Sequence, residues 1–198
     1  LENGTPETTN WINAPHVQSS TILEALMHTP LLDALESLIG ASFVCWGCSL
    51  LCKYPQTASA VNWHQDAAYW PLQPAATVTA WIALDDATPL NGCLSVIPGS
   101  HRNGLLPYDH TEPGAHAFGF DSKRIREELF NTAPHQLPIR AGDAILFSDQ
   151  LVHGSGPNHT DRRRLALVAR YAPVHVRAEK GWNRQAILCR GHDPSGHW

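Results

Sequence analysis

The stretch ATVTAWIAL, residues 76–84, alternates between two kinds of side chain. Thr77, Thr79 and Trp81 occupy every second position, and aliphatic residues occupy the positions between them. A period of two is typical of a β-strand, because successive side chains point to opposite faces of a sheet. The stretch therefore predicts a strand whose Trp81 face is mixed in polarity and whose other face is apolar.

Other short segments rich in β-branched and aromatic residues lie on both sides of this stretch, separated by turn residues. The predicted strands cover residues 42–53, 61–66, 76–84, 93–97, 137–140, 144–147 and 163–172. Such a series favours a mainly β protein with a double-sheet jelly roll. We therefore expect a single domain over 1–198, with a helical cover in 1–40 and the jelly-roll core in 41–198.

Helical periodicity is restricted to a few segments. Residues 20–27 and 29–39 carry apolar stripes at helical spacing and predict two packing helices. Residues 1–20 are polar, contain two prolines and are expected to lie over the surface. Residues 121–130 predict a helical insert, and 103–120, rich in glycine, proline and histidine, predict a lid over the cavity mouth.

The composition limits the class of protein. A chain of 198 residues with 43% hydrophobic residues can bury one sizeable core. Its formal net charge of −4 argues against a nucleic-acid partner. No stretch approaches the roughly 20 apolar residues that span a bilayer, so no membrane partner is expected. Five cysteines without a secretory apolar segment favour free thiols and a cytoplasmic location. No feature indicates an oligomeric state.

Candidate metal ligands occur in Trp63-His64-Gln65-Asp66. On a strand, His64 and Asp66 share one face while Gln65 points away. His153 follows the apolar run AILF at 144–147 and is the third candidate. Two histidines and one carboxylate on one side of a metal leave the opposite positions open, as in non-haem Fe(II) oxygenases.

Eleven residues beyond His153, Arg164 opens an apolar strand. A guanidinium at this position can bind a carboxylate through two parallel hydrogen bonds. His101 is a competing distal histidine, but no arginine on an apolar strand follows it. We therefore rank His153 above His101.

At this point the sequence resembles the phytanoyl-CoA dioxygenase family of Fe(II)/2-oxoglutarate-dependent oxygenases. The resemblance runs from about residue 49 to 170 and includes the HxD pair, the distal histidine and the later arginine in the same order and spacing. Its further motifs are Trp81-Ile82-Ala83-Leu84-Asp85-Asp86, Asn91-Gly92-Cys93-Leu94, Ile97-Pro98-Gly99-Ser100-His101, Ala141-Gly142-Asp143 and His153-Gly154-Ser155.

The resemblance implies a cupin-like double-stranded β-helix with flanking N-terminal helices. It also implies that Fe(II) is bound by the two histidines and the aspartate, with O₂ and 2-oxoglutarate as co-substrates and a small organic molecule as substrate. Trp81 would line the 2-oxoglutarate pocket, with Thr79 on the same face. Arg164 and Ser155 would bind the 2-oxoglutarate carboxylate. Either Ser49 or Lys53 would contribute from the strand before the HxD pair, and a surface position for Lys53 is an equal alternative.

The expected reaction is hydroxylation, with 2-oxoglutarate converted to succinate and CO₂. Desaturation or ring closure after the same hydrogen abstraction stays open, as does the identity of the substrate. Two other classes of function are alternatives. One is a cupin-like metalloenzyme that does not use 2-oxoglutarate, and the other is an inactive jelly-roll binding module.

Overall fold

The computed structural model describes residues 9–106, 133–179 and 181–198. Two helices precede most of the strands: α1 at Ser20–Leu26 and α2 at Thr29–Ile39. The strands are β1 Thr9–Asn13, β2 Phe43–Lys53, β3 Val61–His64, β4 Leu72–Gln73, β5 Val78–Ala83, β6 Leu94–Val96, β7 His135–Leu137, β8 Ala144–Ser148, β9 His153–Ser155, β10 Arg164–Pro173, β11 Arg177–Ala178 and β12 Ile187–Arg190.

The strands form two principal antiparallel sheets. The larger sheet has the order β1-β2-β10-β5-β8, with β12 paired to the other end of β2. The smaller sheet has the order β3-β9-β6-β7, and β4 and β11 form a separate pair. Because strands distant in sequence alternate within each sheet, the arrangement is that of a jelly roll. The prediction of a mainly β, cupin-like fold with N-terminal helices is thus confirmed.

The larger sheet buries both of its faces. Its outer face packs on the helices, where Leu167, Ala169 and Tyr171 of β10 contact Leu26 and Leu35. The Tyr171 hydroxyl donates a hydrogen bond of 3.0 Å to the Leu26 carbonyl. The period-two alternation of the sequence therefore separates a helix-packing face from a second face.

The second, inner face of the larger sheet points toward the smaller sheet. Trp81, Ala166 and Val168 pack there with Leu94 and Val96 of β6. Thr79 lies on the same face, since it pairs with Phe147, another member of this cluster. The mixed face predicted for residues 76–84 is therefore the face between the two sheets.

One strand is missing from the predicted series and one predicted strand is displaced. The series begins at residue 42, yet β1 pairs with residues 49–53 of β2. An edge strand needs only backbone hydrogen bonds, and its sequence TNWIN shows no apolar alternation. The strand expected at 137–140 lies instead at His135–Leu137 and stops before Pro138, which has no N–H to donate. Ile139 forms an isolated bridge with Ala87.

Several other predictions concern parts of the chain with few described residues. Residues 107–120 of the expected lid and the helical insert at 121–130 lie outside the described residues. Of the expected lid, residue 103 ends a 3₁₀ turn, Ser100–Asn103, and 104–106 follow it. None of the described helices is long and apolar enough to cross a membrane. All five cysteines are free and buried, as expected.

Candidate metal centre

Three side chains that can bind a metal meet between the sheets. His64 ends β3, and Asp66 begins a 3₁₀ turn two residues later. His153 begins β9. β3 and β9 are neighbours, with His64 opposite His153. One ligand atom from each residue lies within 4.8 Å of the others. Among the described residues, this is the one group of three or more such side chains close enough to hold a metal ion.

The residue between the two ligands of the HxD pair points the other way, as predicted. Gln65 continues the extended backbone (φ −113°, ψ 129°) and is fully buried. Its amide nitrogen donates to the carbonyls of Gly104 (2.8 Å) and Gln150 (2.6 Å). Its amide oxygen accepts from the backbone N–H of Leu106 at 2.8 Å. Gln65 therefore ties the metal-binding segment to two neighbouring loops.

Backbone carbonyls fix the orientation of both imidazoles. Nδ1 of His64 lies 2.7 Å from the Asn62 carbonyl oxygen, and Nδ1 of His153 lies 2.9 Å from that of Leu151. A carbonyl oxygen only accepts, so Nδ1 carries the proton in each ring. Nε2 of each ring is then free to bind a metal.

The charges of the ligands suit metal binding at neutral pH. Burial alone would raise the pKa of Asp66, but His153 and His64 outweigh it and hold the pKa well below its usual range. Burial and the neighbouring His64 lower the pKa of His153 to about 4. Asp66 is therefore anionic and His153 neutral, which are the states that bind a metal. Thr79 donates a hydrogen bond of 2.9 Å to the Asp66 carboxylate and orients it.

A glycine lets the two ligand strands approach. A Cβ atom on Gly154, the residue after His153, would lie 2.9 Å from the Val61 carbonyl oxygen of β3. Real side chains do not tolerate this distance to backbone. The glycine of the His153-Gly154-Ser155 motif is thus required for the pairing of β3 with β9.

Arg164 lies on the inner face with an unsatisfied guanidinium. Arg164 is 1% exposed. Its guanidinium carbon lies 5.1 Å from the centroid of the Trp81 ring. Nη2 donates to the Gly92 carbonyl at 3.0 Å. Nε and Nη1 are buried and have no partner among the described residues. Burial lowers the pKa of Arg164 to about 10, which leaves it charged at neutral pH.

A buried cation with two unpartnered nitrogens matches an anion. Nε and Nη1 lie on different edges of the Arg164 guanidinium, so a carboxylate would accept from one of them and neutralise the charge. The donor set therefore fits the distal carboxylate of 2-oxoglutarate. The contact with Trp81 also agrees with the expectation that this tryptophan lines the same pocket.

Lys53, expected to be either a co-substrate ligand or a surface residue, is fully buried. Its ammonium group donates to the carbonyls of Ser59 (3.0 Å), Ser155 (3.4 Å) and Gly156. Burial and the neighbouring Arg164 lower its pKa to about 7. Lys53 thus holds the loop after His153 in place, and a surface location is excluded.

The remaining predicted site residues lie on or near the inner face. The Thr79 hydroxyl is engaged with Asp66. Ser155 ends β9, and its own carbonyl accepts a hydrogen bond from the Lys53 ammonium group. Ser49, 2% exposed, donates to Asn13 Oδ1 (2.9 Å) and accepts from Arg170 Nη1 (3.1 Å). The roles of Thr79, Ser155 and Ser49 toward 2-oxoglutarate stay predictions.

Arg170 is a functional candidate that the sequence analysis missed. It follows Arg164 by six residues on β10 and lies opposite Thr79 of β5. The sequence does contain a signal for Arg170. Its separation from Arg164 is an even number of residues, which on a strand places both arginines on the same face.

A jelly roll with two histidines and one carboxylate between its sheets defines a class, the non-haem metal oxygenases. The comparisons with known proteins identify the family within it. The profile described as Phytanoyl-CoA dioxygenase (PhyH) matches residues 5–166. The chain belongs to this family, and the resemblance stated from its motifs is confirmed.

Three similar proteins illustrate the range of the family and fold. The chain is 32% identical over 165 residues to the peroxisomal phytanoyl-CoA dioxygenase of Homo sapiens, covering 79% of this chain and 48% of the relative. It is 28% identical over 161 residues to a probable alpha-ketoglutarate-dependent hypophosphite dioxygenase of Stutzerimonas stutzeri, covering 81% and 56%. The solved epimerase SnoN, in complex with Fe³⁺, alpha-ketoglutarate and nogalamycin RO, is 26% identical with a TM-score of 0.71, covering 87% and 66%. The chain thus spans about half the length of the curated relatives it matches.

Proposed function

We propose that this protein is an Fe(II)- and 2-oxoglutarate-dependent dioxygenase that hydroxylates a small organic molecule. The observation that carries the proposal is the combination of two sites on one inner surface. His64, Asp66 and His153 form a three-ligand metal group, and Arg164 offers two buried, unpartnered N–H groups on the same side of the larger sheet.

Each residue has a separate task in this proposal. His64, Asp66 and His153 would hold Fe(II) through two Nε2 atoms and one carboxylate. Arg164 would bind the distal carboxylate of 2-oxoglutarate, with Ser155 beside it and Trp81 as a wall. Iron and 2-oxoglutarate together supply the activation of O₂, with oxidative decarboxylation of 2-oxoglutarate to succinate and CO₂.

The protein itself holds the metal ligands in position and excludes water from them. His64 and His153 are buried, at 8% and 6% exposure. The rings of His64 and His153 lie 4.2 Å apart between centroids, and Phe147 covers His153 with its ring at 4.6 Å. A dry, preorganised set of donors protects a reactive centre from side reactions. With Fe(II) bound, the carboxylate of Asp66 would take up a ligand position that a halide would otherwise need, which favours hydroxylation over halogenation.

The two alternatives make different demands on these residues. A cupin-like metalloenzyme without 2-oxoglutarate would have no need for a buried arginine with two orphaned donors. A binding module without activity would have no need for both imidazoles to present Nε2 to a carboxylate. The relatives named as alpha-ketoglutarate-dependent support the leading proposal. A reducing compartment such as the cytoplasm is proposed because all five thiols are free.

The proposal is tested by adding Fe(II), 2-oxoglutarate and ascorbate and measuring succinate by mass spectrometry. Succinate formed by the native protein should be lost in His153→Ala and in Arg164→Met. Arg163→Met is the matched control, because Arg163 is exposed and bonds Asp85 at 3.1 Å on the surface. If the native protein bound neither Fe(II) nor 2-oxoglutarate in equilibrium dialysis, the proposal would be refuted.

A further inference from the structure

A cavity of about 510 Å³ lies at the end of the inner face where Arg170 is found. Its volume is within the range of small-molecule sites, about 300–1,000 Å³. Trp46, Trp70 and Trp182 form its aromatic walls, and Arg184 is exposed at its rim. No carboxylate occurs among the described residues that line it.

The tryptophans form a connected aromatic surface. The Trp46 ring lies 4.8 Å from that of Trp70 in an edge-to-face arrangement and 5.7 Å from that of Trp182. The guanidinium carbon of Arg170 lies 5.9 Å from the Trp46 ring centroid and 5.5 Å from that of Trp70. The Nε1 atom of Trp46 is buried without a partner among the described residues. The cavity thus combines flat apolar walls with the cationic side chain of Arg170.

Arg170 is held in place but is not neutralised. Nη1 donates to Ser49 Oγ at 3.1 Å, and Ser49 is in turn fixed by Asn13. Nε of Arg170 is buried and has no partner in the described part of the chain. No ion pair within 4 Å joins Arg170 to a described carboxylate, although Asp66 is close enough to influence its pKa.

The cavity adjoins the metal group through one side chain. Arg170 lies directly opposite Thr79 in the pairing of β10 with β5, and the Thr79 hydroxyl bonds the Asp66 carboxylate. Residues opposite each other in antiparallel strands have Cα atoms about 5 Å apart. Trp70 follows Asp66 by four residues, and its neighbour Tyr69 packs on the His64 ring at 5.8 Å. The cavity is therefore linked to Asp66 through Arg170 and Thr79, and no metal ligand itself lines the cavity.

The balance of charge indicates what kind of ligand this is, provided that the proposed function holds. Asp66 is the described carboxylate that influences the pKa of Arg170, and it would be engaged with Fe(II), as the two carboxylates of 2-oxoglutarate would be with Fe(II) and Arg164. Arg170 is then left half-buried at the cavity wall, with no ion-pair partner among the described residues. Buried charges are stable when they are paired, so the missing anion is expected to arrive with the substrate.

We propose that this cavity is the substrate site and that Arg170 binds an anionic group of the substrate. The substrate class is a small organic anion, with a carboxylate, phosphate or sulfate group, whose flat apolar part packs against the aromatic walls formed by Trp46, Trp70 and Trp182. Arg184 at the rim attracts the anion, and Ser49 positions Arg170.

The test compares two probes of equal shape, phenylacetate and phenylacetamide. Calorimetry measures both dissociation constants on protein loaded with Fe(II) and 2-oxoglutarate under anaerobic conditions and constant ionic strength. Phenylacetate should bind native protein about tenfold or more tightly than the amide, since loss of a buried charged partner typically costs at least this much. Equal binding of the two probes by native protein would overturn the proposal without any variant.

Variants assign the preference to Arg170. Arg170→Gln should bind both probes alike, with its affinity for 2-oxoglutarate unchanged. Arg177→Gln is the control, because Arg177 is exposed and bonds only the Val174 carbonyl among the described residues. Trp182→Ala should weaken both probes by a similar factor, and if Arg170→Gln does not fold it still tests whether the probes bind in the cavity that Arg170 lines. A preference for phenylacetate that survives in folded Arg170→Gln, or probe binding unaffected by Trp182→Ala, would overturn the proposal.

The design separates failure of this inference from failure of the proposed function. Arg164→Gln should lose 2-oxoglutarate affinity yet keep the preference for phenylacetate. If 2-oxoglutarate instead competes with phenylacetate for one site, Arg170 belongs to the co-substrate and the inference is refuted. If neither iron nor 2-oxoglutarate binds but the anion preference depends on Arg170, the cavity assignment stands and the dioxygenase proposal falls.

Discussion

Replacing Arg164 by methionine should weaken 2-oxoglutarate binding by about 30-fold or more while hardly changing the stability of the protein alone. The substitution removes a charge that is buried and incompletely paired. It deletes the Nη2 hydrogen bond to Gly92 and the contact with Trp81, and it removes the two orphaned donors Nε and Nη1. Methionine fills similar space with a flexible apolar chain.

The effects on stability nearly cancel. Burial lowers the pKa of Arg164 from 12.5 to about 10, and at about 1.4 kcal/mol per pKa unit this charge costs about 3 kcal/mol in the folded state. Against this, the variant loses about 1.5–3 kcal/mol for the hydrogen bond of a charged donor and about 1–2 kcal/mol for the contact with tryptophan. Without 2-oxoglutarate, the free energy of unfolding should therefore change by less than about 2 kcal/mol.

The loss of 2-oxoglutarate affinity in Arg164→Met is not offset by any gain. Loss of one side of a buried charge-assisted pair costs at least about 2 kcal/mol, which corresponds to about 30-fold in the dissociation constant. At a concentration 100 times the native dissociation constant, 2-oxoglutarate stabilises native protein by about 2.7 kcal/mol. The variant would then gain less than about 1 kcal/mol at the same concentration.

Urea unfolding of the metal-loaded protein, with and without 2-oxoglutarate, measures both quantities. Arg163→Met should behave as native protein, because it changes only an exposed ion pair with Asp85. Full stabilisation of Arg164→Met by 2-oxoglutarate would show that another group binds the carboxylate. A loss of several kcal/mol without 2-oxoglutarate would show that Arg164 is structural.

Three further predictions test the metal centre and its surroundings. His153→Ala should abolish Fe(II) binding in equilibrium dialysis. His101→Ala, at an exposed turn, should leave Fe(II) binding intact. The reverse result would show that His101, not His153, is the distal metal ligand. Thr79→Val removes the hydroxyl that orients Asp66 and should weaken metal affinity by about 10–100-fold, so an unchanged affinity would rule out this orienting role. Burial raises the pKa of Asp149 to about 6 from 3.8, so the folded state holds this proton more tightly, and native stability should decline as pH rises from about 4 to 6. Asp149→Asn keeps an acceptor for the Thr77 N–H and should be more stable than native protein at pH 7 by about 1–2 kcal/mol. An identical pH dependence of urea unfolding in the native protein and this variant would contradict the assignment.

Much of the fold follows from local pattern. The strands at Phe43–Lys53, Val78–Ala83 and Arg164–Pro173 agree with the predicted ranges within two residues. Each of them is long and buried on both faces, so its composition reports its environment directly. β1 and the two-residue strands β4 and β11 are different, because pairing by backbone alone leaves little trace in the side chains.

The metal group also follows from sequence, because HxD spacing on an extended backbone determines which side chains converge. The surroundings do not follow in the same way. Arg170 lies opposite Thr79, a residue 91 positions earlier in the chain, only because β10 pairs with β5 in one particular register. The burial of Lys53 likewise depends on carbonyls supplied by distant loops. Such roles are set by tertiary contacts, which a single sequence does not display.

Some motif residues that carry the resemblance are structural. A Cβ on Gly92 would lie 2.4 Å from the Gly156 carbonyl oxygen, and its φ of +77° also favours glycine. The Gly92 carbonyl meanwhile accepts the hydrogen bond from Arg164. Ser100 accepts from the Val152 N–H at 2.8 Å, next to His153. These residues place the arginine and the distal histidine without touching a ligand themselves.

The contacts of Gln65 have a consequence for how this protein tolerates mutation. The residue never faces the metal, yet its amide makes three hydrogen bonds to three separate backbone groups. Glutamate lacks the donors and alanine lacks every polar atom, so either change leaves carbonyls unsatisfied in the interior. In a saturation-mutagenesis screen, the middle position of the HxD pair should therefore be nearly as intolerant as the two ligands that flank it. Substitution at position 65 would be limited by these buried hydrogen bonds, and substitution at positions 64 and 66 by metal binding.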